Sequence, residues 1–199
     1  MATFFSPNVS GNCRTTLACE TKNKMEQQDK VGYVKESCTE NGGTRSVIHG
    51  IFTPGAMAPT HYHTKFNESF EVLEGELAVW NDGKKIILKP GDKATIQKTV
   101  HHRFKNESEN IVKVLITAEP GYEPFEQNLR IMMGLQKDGL LKQLSKMTPK
   151  MIPIGMILTD LSNTKLVGGV GIMFKVISVF YNKEKIALRK KELLEKYCS

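Results

Sequence analysis

The chain of 199 residues contains few cysteines and no apolar run long enough to span a membrane. Its four cysteines show no C-x-x-C spacing, so neither a zinc ribbon nor a thioredoxin-like redox motif is indicated. The first ten residues lack the basic start, apolar run and cleavage site of a secretory signal peptide. We therefore expect a reduced, cytoplasmic setting. The length suits one well-packed domain with an additional segment.

The net charge of +7 comes from one end of the chain. Lys and Arg exceed Asp and Glu by one in residues 1–30 and by seven in residues 126–199. Acidic residues are in excess by one in residues 31–125. Nucleic-acid-binding proteins usually carry their basic residues on a recognisable recognition motif. Because no such motif occurs here, we expect no nucleic-acid partner.

The middle of the chain has the pattern of short strands separated by turns. Asn-Asp-Gly at 81–83 lies between two apolar runs, which is a strong hairpin signal, and Pro-Gly at 90–91 suits a type II turn. Such spacing predicts a mainly β structure, an antiparallel barrel or sandwich, over residues 31–125. Residues 1–30 are polar and are interpreted as an N-terminal arm.

Three histidines and one glutamate form a candidate metal site. His61 and His63 stand two residues apart in a predicted strand, so their side chains point to the same face. Glu68 and His102 each begin an apolar alternation on another predicted strand. If the three strands pack together, the four side chains meet. Imidazoles with one carboxylate suit Fe, Mn, Co, Ni, Cu or Zn, so we predict one divalent transition metal there.

The two remaining histidines are predicted to lie outside this site. His101 is adjacent to His102 and therefore points to the opposite face of the same strand. His49 is interpreted as an ordinary strand residue.

These residues resemble the first conserved motif of the cupin superfamily. That motif consists of a glycine, five residues, H-x-H, four residues, a glutamate, six residues and a second glycine. The chain matches it without a gap at Gly55, His61, His63, Glu68 and Gly75.

The second cupin motif is matched less fully. Gly91, His102 and Asn106 stand where the motif has its first glycine, its histidine and its asparagine. Gln97 and Thr99 replace its proline and its second glycine. This departure concerns the turn before His102 and leaves the ligand in place.

The resemblance implies a cupin jelly-roll barrel, also called a double-stranded β-helix, over residues 31–125. The motif is not repeated, which indicates a single barrel. An apolar wall around the metal is expected to include Ile96 and residues that contact substrate. The three polar residues expected to contact substrate, Thr95, Gln97 and Asn106, have an alternative role in packing or turn formation. The predicted substrate contacts are Phe70, Val72, Trp80, Thr95, Gln97, Phe104 and Asn106.

Four protein ligands on an octahedral metal leave two positions, at which oxygen and a bidentate oxygen substrate could bind. This is the logic of ring-cleaving dioxygenases such as the quercetinases, in which Glu68 would also act as a base. We expect an oxygen-using oxidoreductase acting on a small enol or diol. The alternatives are a metal- or ligand-binding cupin without turnover, serving as a sensor or accessory protein, and a metal-dependent isomerase or lyase.

From residue 126 to residue 199 the apolar period becomes helical, which predicts a basic helical extension of the barrel. An apolar segment at 166–181 is followed by a basic segment at 183–197. One interpretation is that the extension packs on the barrel or on a second subunit, in a homodimer. The other is peripheral contact with a membrane surface. The extension contains no histidine, so it is not expected to be a second catalytic domain.

Overall fold

The computed structural model describes residues 32–144, 146 and 148–198. The predicted N-terminal arm, with Cys13 and Cys19, lies outside the described residues. The other two cysteines, Cys38 and Cys198, are free thiols.

The described residues form ten strands in two five-stranded antiparallel sheets. One sheet has the order β1-β2-β9-β4-β7 and the other the order β10-β3-β8-β5-β6. The strands are β1 Tyr33–Glu36, β2 Ser46–Phe52, β3 Met57–Tyr62, β4 Asn67–Glu74, β5 Leu77–Asn81, β6 Lys84–Leu88, β7 Lys93–Ile96, β8 His102–Lys105, β9 Val112–Glu119 and β10 Lys165–Leu166.

Alternating side chains on the two sheets face each other and form the core of the barrel. In β9 every second residue is buried and those between are half-buried or exposed, as expected when one face packs inward. The fully buried core residues include Phe70, Val72, Leu77, Val79, Val112 and Val114. The chain crosses repeatedly from one sheet to the other, so neighbouring strands are mostly distant in sequence. The predicted mainly β jelly-roll barrel is confirmed.

The predicted C-terminal helices are also present. Their ranges are α1 Glu123–Lys137, α2 Leu141–Leu144, α3 Ile152–Leu161, α4 Gly168–Ser178 and α5 Lys183–Tyr197. Ile131 of α1, Ile157 of α3 and Leu193 of α5 belong to a second buried apolar cluster. Phe125, at the start of α1, belongs to the barrel core instead. The predicted boundary at 125/126 therefore falls inside a helix that joins both clusters, and independent folding of residues 31–125 stays a prediction.

One strand of the extension was not expected from the sequence. Leu166 of β10 pairs with His61 of β3 in antiparallel register. Just before β10, the Asn163 side-chain oxygen accepts hydrogen bonds from the backbone N–H of Thr64 at 2.7 Å and from its hydroxyl at 2.9 Å. The extension is thus hydrogen-bonded to the chain segment that carries the first two histidines of the candidate site.

The turn before β8 keeps the backbone conformation that a glycine would favour. Thr99 has a φ of 70°, in the left-handed region that a β-branched residue rarely adopts. Its N–H donates to the carbonyl of His63 at 2.7 Å, which ties the turn to the H-x-H segment. Its side chain is exposed. The cupin glycine is therefore replaced at the cost of local backbone strain.

Substituting this residue should increase stability. In Thr99→Gly, relief of left-handed strain is worth about 1–2 kcal/mol, against about 0.5–1 kcal/mol for the greater freedom of glycine in the unfolded chain. We expect the free energy of unfolding in urea to rise by up to about 1 kcal/mol. Lys98→Gly, where no positive φ is relieved, is the matched control and should lose stability. Equal losses in both variants would contradict this interpretation.

Candidate metal centre

The two sheets together supply the candidate ligands. His61 of β3 and His102 of β8 are direct partners across one sheet, and His63 follows β3. Glu68 lies on β4 in the other sheet. One ligand atom from each of the four residues lies within 4.8 Å of all the others, and each residue is at most 5% exposed. The predicted cluster therefore forms in the interior, between the sheets.

A β-bulge in β3 directs His61 into the barrel. Ala58 pairs with Phe104 and His61 pairs with His102, so β3 advances three residues while β8 advances two. In a regular strand, residues three apart point to opposite faces. The extra residue lets Ala58 and His61 both point inward, which is a common use of bulges beside functional sites.

Backbone carbonyls orient two of the imidazoles. Nδ1 of His61 lies 2.7 Å from the carbonyl oxygen of Pro59, and Nδ1 of His102 lies 3.0 Å from that of Val100. In these contacts each Nδ1–H donates to the carbonyl, so Nε2 of each ring faces the cluster. Metal-binding histidines commonly hold their second ring nitrogen in this way.

Glu68 and His102 form a buried ion pair. The Glu68 Oε2 atom lies 2.9 Å from Nε2 of His102 and 3.5 Å from Nε2 of His63. Burial alone would raise the pKa of Glu68, but the neighbouring His102 and His63 hold it well below its usual range. Burial would also lower the pKa of His102, yet the Glu68 carboxylate raises it above its ordinary value.

His61 is neutral in the same cluster. Burial, assisted by the charge on His102, lowers the pKa of His61 to about 4. The imidazole is therefore in the form that binds a metal throughout the neutral pH range.

His63 provides the test of whether a metal fits. Both of its ring nitrogens are buried, and neither has a hydrogen-bond partner among the described residues. An unsatisfied buried polar group costs about 1–3 kcal/mol. A cation at the centre of the cluster would bind one of these two nitrogens. It would be surrounded by three imidazoles and a carboxylate, a donor set suited to divalent transition metals. The residues present therefore fit such an ion.

Three of the predicted substrate contacts lie on the inner face of the barrel. Phe70 and Val72 are fully buried. Phe104 is half-buried, and its ring stacks on that of Phe52 with 4.6 Å between centroids. Ile96, predicted in the same wall, is also buried and pairs with Glu68 across β4 and β7. Their contact with a substrate stays a prediction.

Trp80 lies on the outer face of the barrel, which corrects its predicted position. Val79 is fully buried and occupies the inward position of β5. Trp80 pairs with Arg103, whose guanidinium lies 3.9 Å from the centre of the indole ring. His101 is exposed on this outer face, as strand alternation predicts.

Thr95 and Gln97 also point away from the cluster. Both are exposed, whereas Ile96 between them is buried. The Thr95 hydroxyl shares a hydrogen bond with that of Ser69 at 2.9 Å. Their predicted role in steering substrate from inside the barrel is therefore not supported by their position.

Asn106 serves the adjacent loop. It is fully buried, and its side-chain nitrogen donates to the carbonyls of Phe52 at 3.0 Å and Asn110 at 2.7 Å. Its side-chain oxygen accepts from the backbone N–H of Ser108 at 3.0 Å. The alternative of turn formation accounts for all of these contacts.

Two aromatic residues beside His63 were missed from the sequence. The ring of Phe66 stacks on that of His63 at 4.5 Å, and the ring of Phe125 meets it edge-on at 6.2 Å. Phe66 belongs to the chain segment after H-x-H and could have been found there. Phe125 reaches the site from α1, and no strand pattern indicates it. Helix α1 therefore contributes one wall of the site.

Comparisons with known proteins match the barrel. Residues 49–118 match the family described as a cupin domain. A quercetin 2,3-dioxygenase of Bacillus subtilis (strain 168) is 36% identical over 70 residues, covering 35% of this chain and 20% of that protein. An uncharacterised protein of Aquifex aeolicus (strain VF5) is 38% identical over 73 residues, covering 37% and 59%. The chain thus spans less than two thirds of either curated relative.

Among solved structures, a protein of Thermus thermophilus is 21% identical with a TM-score of 0.41, covering 45% of this chain and 82% of that one. The first cupin motif is complete, its histidines and glutamate converge between two antiparallel sheets, and the family match lies on those sheets. Residues 49–118 of the chain therefore form a cupin domain.

Proposed function

We propose that this protein binds one divalent transition metal through His61, His63, Glu68 and His102, and oxidises a small enol or diol with molecular oxygen. The observation that carries the proposal is the buried convergence of these four side chains, with one imidazole of the cluster lacking a hydrogen-bond partner among the described residues. When bound, the metal would supply a Lewis acid for the substrate oxygens and a redox centre for the reaction with oxygen.

The surrounding residues suit a substrate with an apolar ring. Phe70, Ile96 and Phe104 surround the interior with apolar surface, which excludes water and favours the face of a planar molecule. Phe66 and Phe125 close the side beside His63. A substrate would be oriented by its own oxygens at the cluster, because the nearby Asn106 side chain is fully engaged in its loop.

Glu68 is proposed to receive the substrate proton. The low pKa of its carboxyl keeps it ionised at neutral pH, the form that can accept a proton. The Oε2 atom is held by His102 at 2.9 Å.

The relative of Bacillus subtilis supports this reaction class. That protein is a quercetin 2,3-dioxygenase, and the shared segment is 36% identical. Because the match covers 20% of that protein, we carry over only the class of an oxygen-using enzyme acting on an enol or diol.

The experiment combines metal analysis with oxygen uptake. The purified protein is analysed for metal, reloaded separately with iron, manganese, nickel, copper and cobalt, and tested with a panel of flavonols and catechols. At least one form should consume oxygen in step with substrate loss. Glu68→Gln should abolish this uptake, whereas Glu71→Gln, a change on the same strand outside the cluster, should preserve it.

The other outcomes separate the alternatives. Metal-loaded forms that all leave oxygen untouched would favour a binding or sensor protein. Substrate loss without oxygen uptake would favour the metal-dependent isomerase or lyase. Failure to bind any of these metals would reject the whole proposal.

We also propose that the protein is a cytoplasmic homodimer. The cysteine pattern supports the compartment. Exposed apolar residues of the barrel, among them Met57, Leu73 and Ile111, offer a surface for the dimer. Light scattering on the full chain tests the dimer.

A further inference from the structure

Helix α4 and the turn after it leave an apolar stripe in water. No residue of α4 is buried, although Phe174 lies against Gly155 of α3 on its inner side. On the outer side, exposed apolar side chains at i and i+4 share one face of α4, and two more follow in the turn after the helix. They are Ile172, Val176, Val179 and Phe180, exposed by 68, 56, 79 and 84%.

Such a stripe differs from isolated surface apolar residues. Single exposed apolar side chains are normal in soluble proteins, whereas contiguous ones mark an interaction site. The two most exposed residues, Val179 and Phe180, protrude together at the turn between α4 and α5. This turn is the point at which the stripe would make first contact with a partner.

An excess of positive charge, three lysines against Glu184, flanks the same turn. Lys175, Lys183 and Lys185 are exposed, and none of them makes an ion pair within the part of the chain that the structure describes. The basic side chains further along α5 are compensated by acids. These pairs are Arg189–Glu192 at 2.7 Å, Lys190–Asp160 at 2.9 Å, Lys191–Glu195 at 3.8 Å and Lys196–Asp138 at 2.7 Å.

We propose that this apolar–basic face, formed by Ile172, Val176, Val179, Phe180 and the three unpaired lysines, binds the surface of an anionic membrane. Apolar side chains of an interfacial helix enter the boundary between headgroups and acyl chains, while cationic side chains contact acidic headgroups. The face carries both elements at one place.

The charge of the apolar–basic face disfavours two other partners, a second copy of the chain and the N-terminal residues. Residues 168–198 contain seven Lys and Arg against three Glu, so a second copy would bring like charge onto the same patch. The N-terminal residues 1–30 have a small basic excess and offer no complementary charge. Within the described residues, no helix is long and apolar enough to cross a bilayer. Contact along the surface is the arrangement that fits.

The face is connected directly to the barrel. The N–H of Val167, which immediately precedes α4, donates to the carbonyl of Thr60 in β3 at 3.2 Å. Membrane contact would therefore hold the barrel itself at the surface. Membrane binding by this face requires neither catalysis nor a bound metal.

Vesicle co-sedimentation of the full chain tests the proposal. Phosphatidylcholine vesicles containing phosphatidylglycerol should carry the protein down, and pure phosphatidylcholine vesicles should do so far less. The double variant Lys183→Gln/Lys185→Gln should reduce partitioning about 30-fold, the effect of removing two charges near an anionic surface. Phe180→Ser should also reduce it severalfold, since an inserted aromatic side chain is lost. All the substituted residues are exposed, and circular dichroism checks their fold.

The matched control is Lys191→Gln/Lys196→Gln, which removes the same charge. These residues lie six and eleven positions beyond Lys185, about 9 and 16 Å along the helix, at or beyond the screening length of about 8 Å. The control should retain most of the binding. Equal losses in the two double variants, or no binding of the intact chain to anionic vesicles, would overturn the proposal. So would a change of oligomeric state in Phe180→Ser with partitioning unchanged, which would assign the face to a second copy.

Discussion

Replacing His61, His63 or His102 with Ala should weaken metal binding by at least about 100-fold, because even the partners that only orient metal ligands contribute about 10- to 100-fold. All four candidate ligands are buried and meet within 4.8 Å, so none can be replaced by a neighbouring side chain without rearranging the barrel. Elemental analysis after dialysis against a defined metal concentration measures the loss. His101→Ala, which alters the adjacent histidine on the outer face, should keep full occupancy.

The three substitutions should differ in their effect on the metal-free fold. His102→Ala removes the nearest partner of the Glu68 carboxylate, and breaking a buried ion pair costs about 3–5 kcal/mol. His61→Ala removes a neutral imidazole and should cost less. His102→Gln can still donate a hydrogen bond to Glu68, so it should recover stability without recovering metal. Full occupancy in any two of the alanine variants would reject the four-ligand site.

Glu126→Ala should destabilise the protein by about 3–5 kcal/mol, because it leaves a set of buried donors without their acceptor. The carboxylate of Glu126, 2% exposed on α1, accepts three hydrogen bonds from the barrel. The donors are the hydroxyl of Ser37 at 2.7 Å, the N–H of Cys38 at 2.7 Å and the hydroxyl of Ser46 at 2.6 Å. This contact joins the helical extension to β2 and to the segment that follows β1. Denaturant unfolding measures the effect, with Glu123→Ala on the exposed side of the same helix as the control.

This contribution should also depend on pH. Burial would raise the pKa of Glu126, but the hydrogen bonds from Cys38, Ser37 and Ser46 lower it below the ordinary value of 4.5. A carboxyl with a lowered pKa in the folded state stabilises the protein above that ordinary value, and the contribution is lost as pH falls towards the lowered pKa. The stability difference between the wild type and Glu126→Gln should therefore shrink below about pH 4.5. A difference that is constant from pH 7 to pH 3 would contradict this account.

The four candidate ligands and the strands could be identified because each depends on local spacing. The alternation of Glu68, Phe70 and Val72 follows from the two-residue period of a strand with one buried face, and all three are buried. The H-x-H segment and the later histidine are fixed by the cupin motif. The second motif, with Thr99 in place of glycine, shows that a turn can persist when its usual residue is absent, provided the fold supplies enough stability to hold the strained φ.

The sequence by itself thus determined the strand periodicity, the helical extension and the identity of the four candidate ligands. Only the tertiary structure decided which face each strand buries and what the extension touches. The sequence alone does not distinguish Trp80 from Val79 as the residue that faces the interior. The pairing of β5 with β8 shows that it is Val79. The bulge that turns His61 inward, the pairing of β10 with β3 and the bonds of Glu126 join segments up to 105 residues apart. Such contacts depend on three-dimensional register, and local spacing carries no information about them.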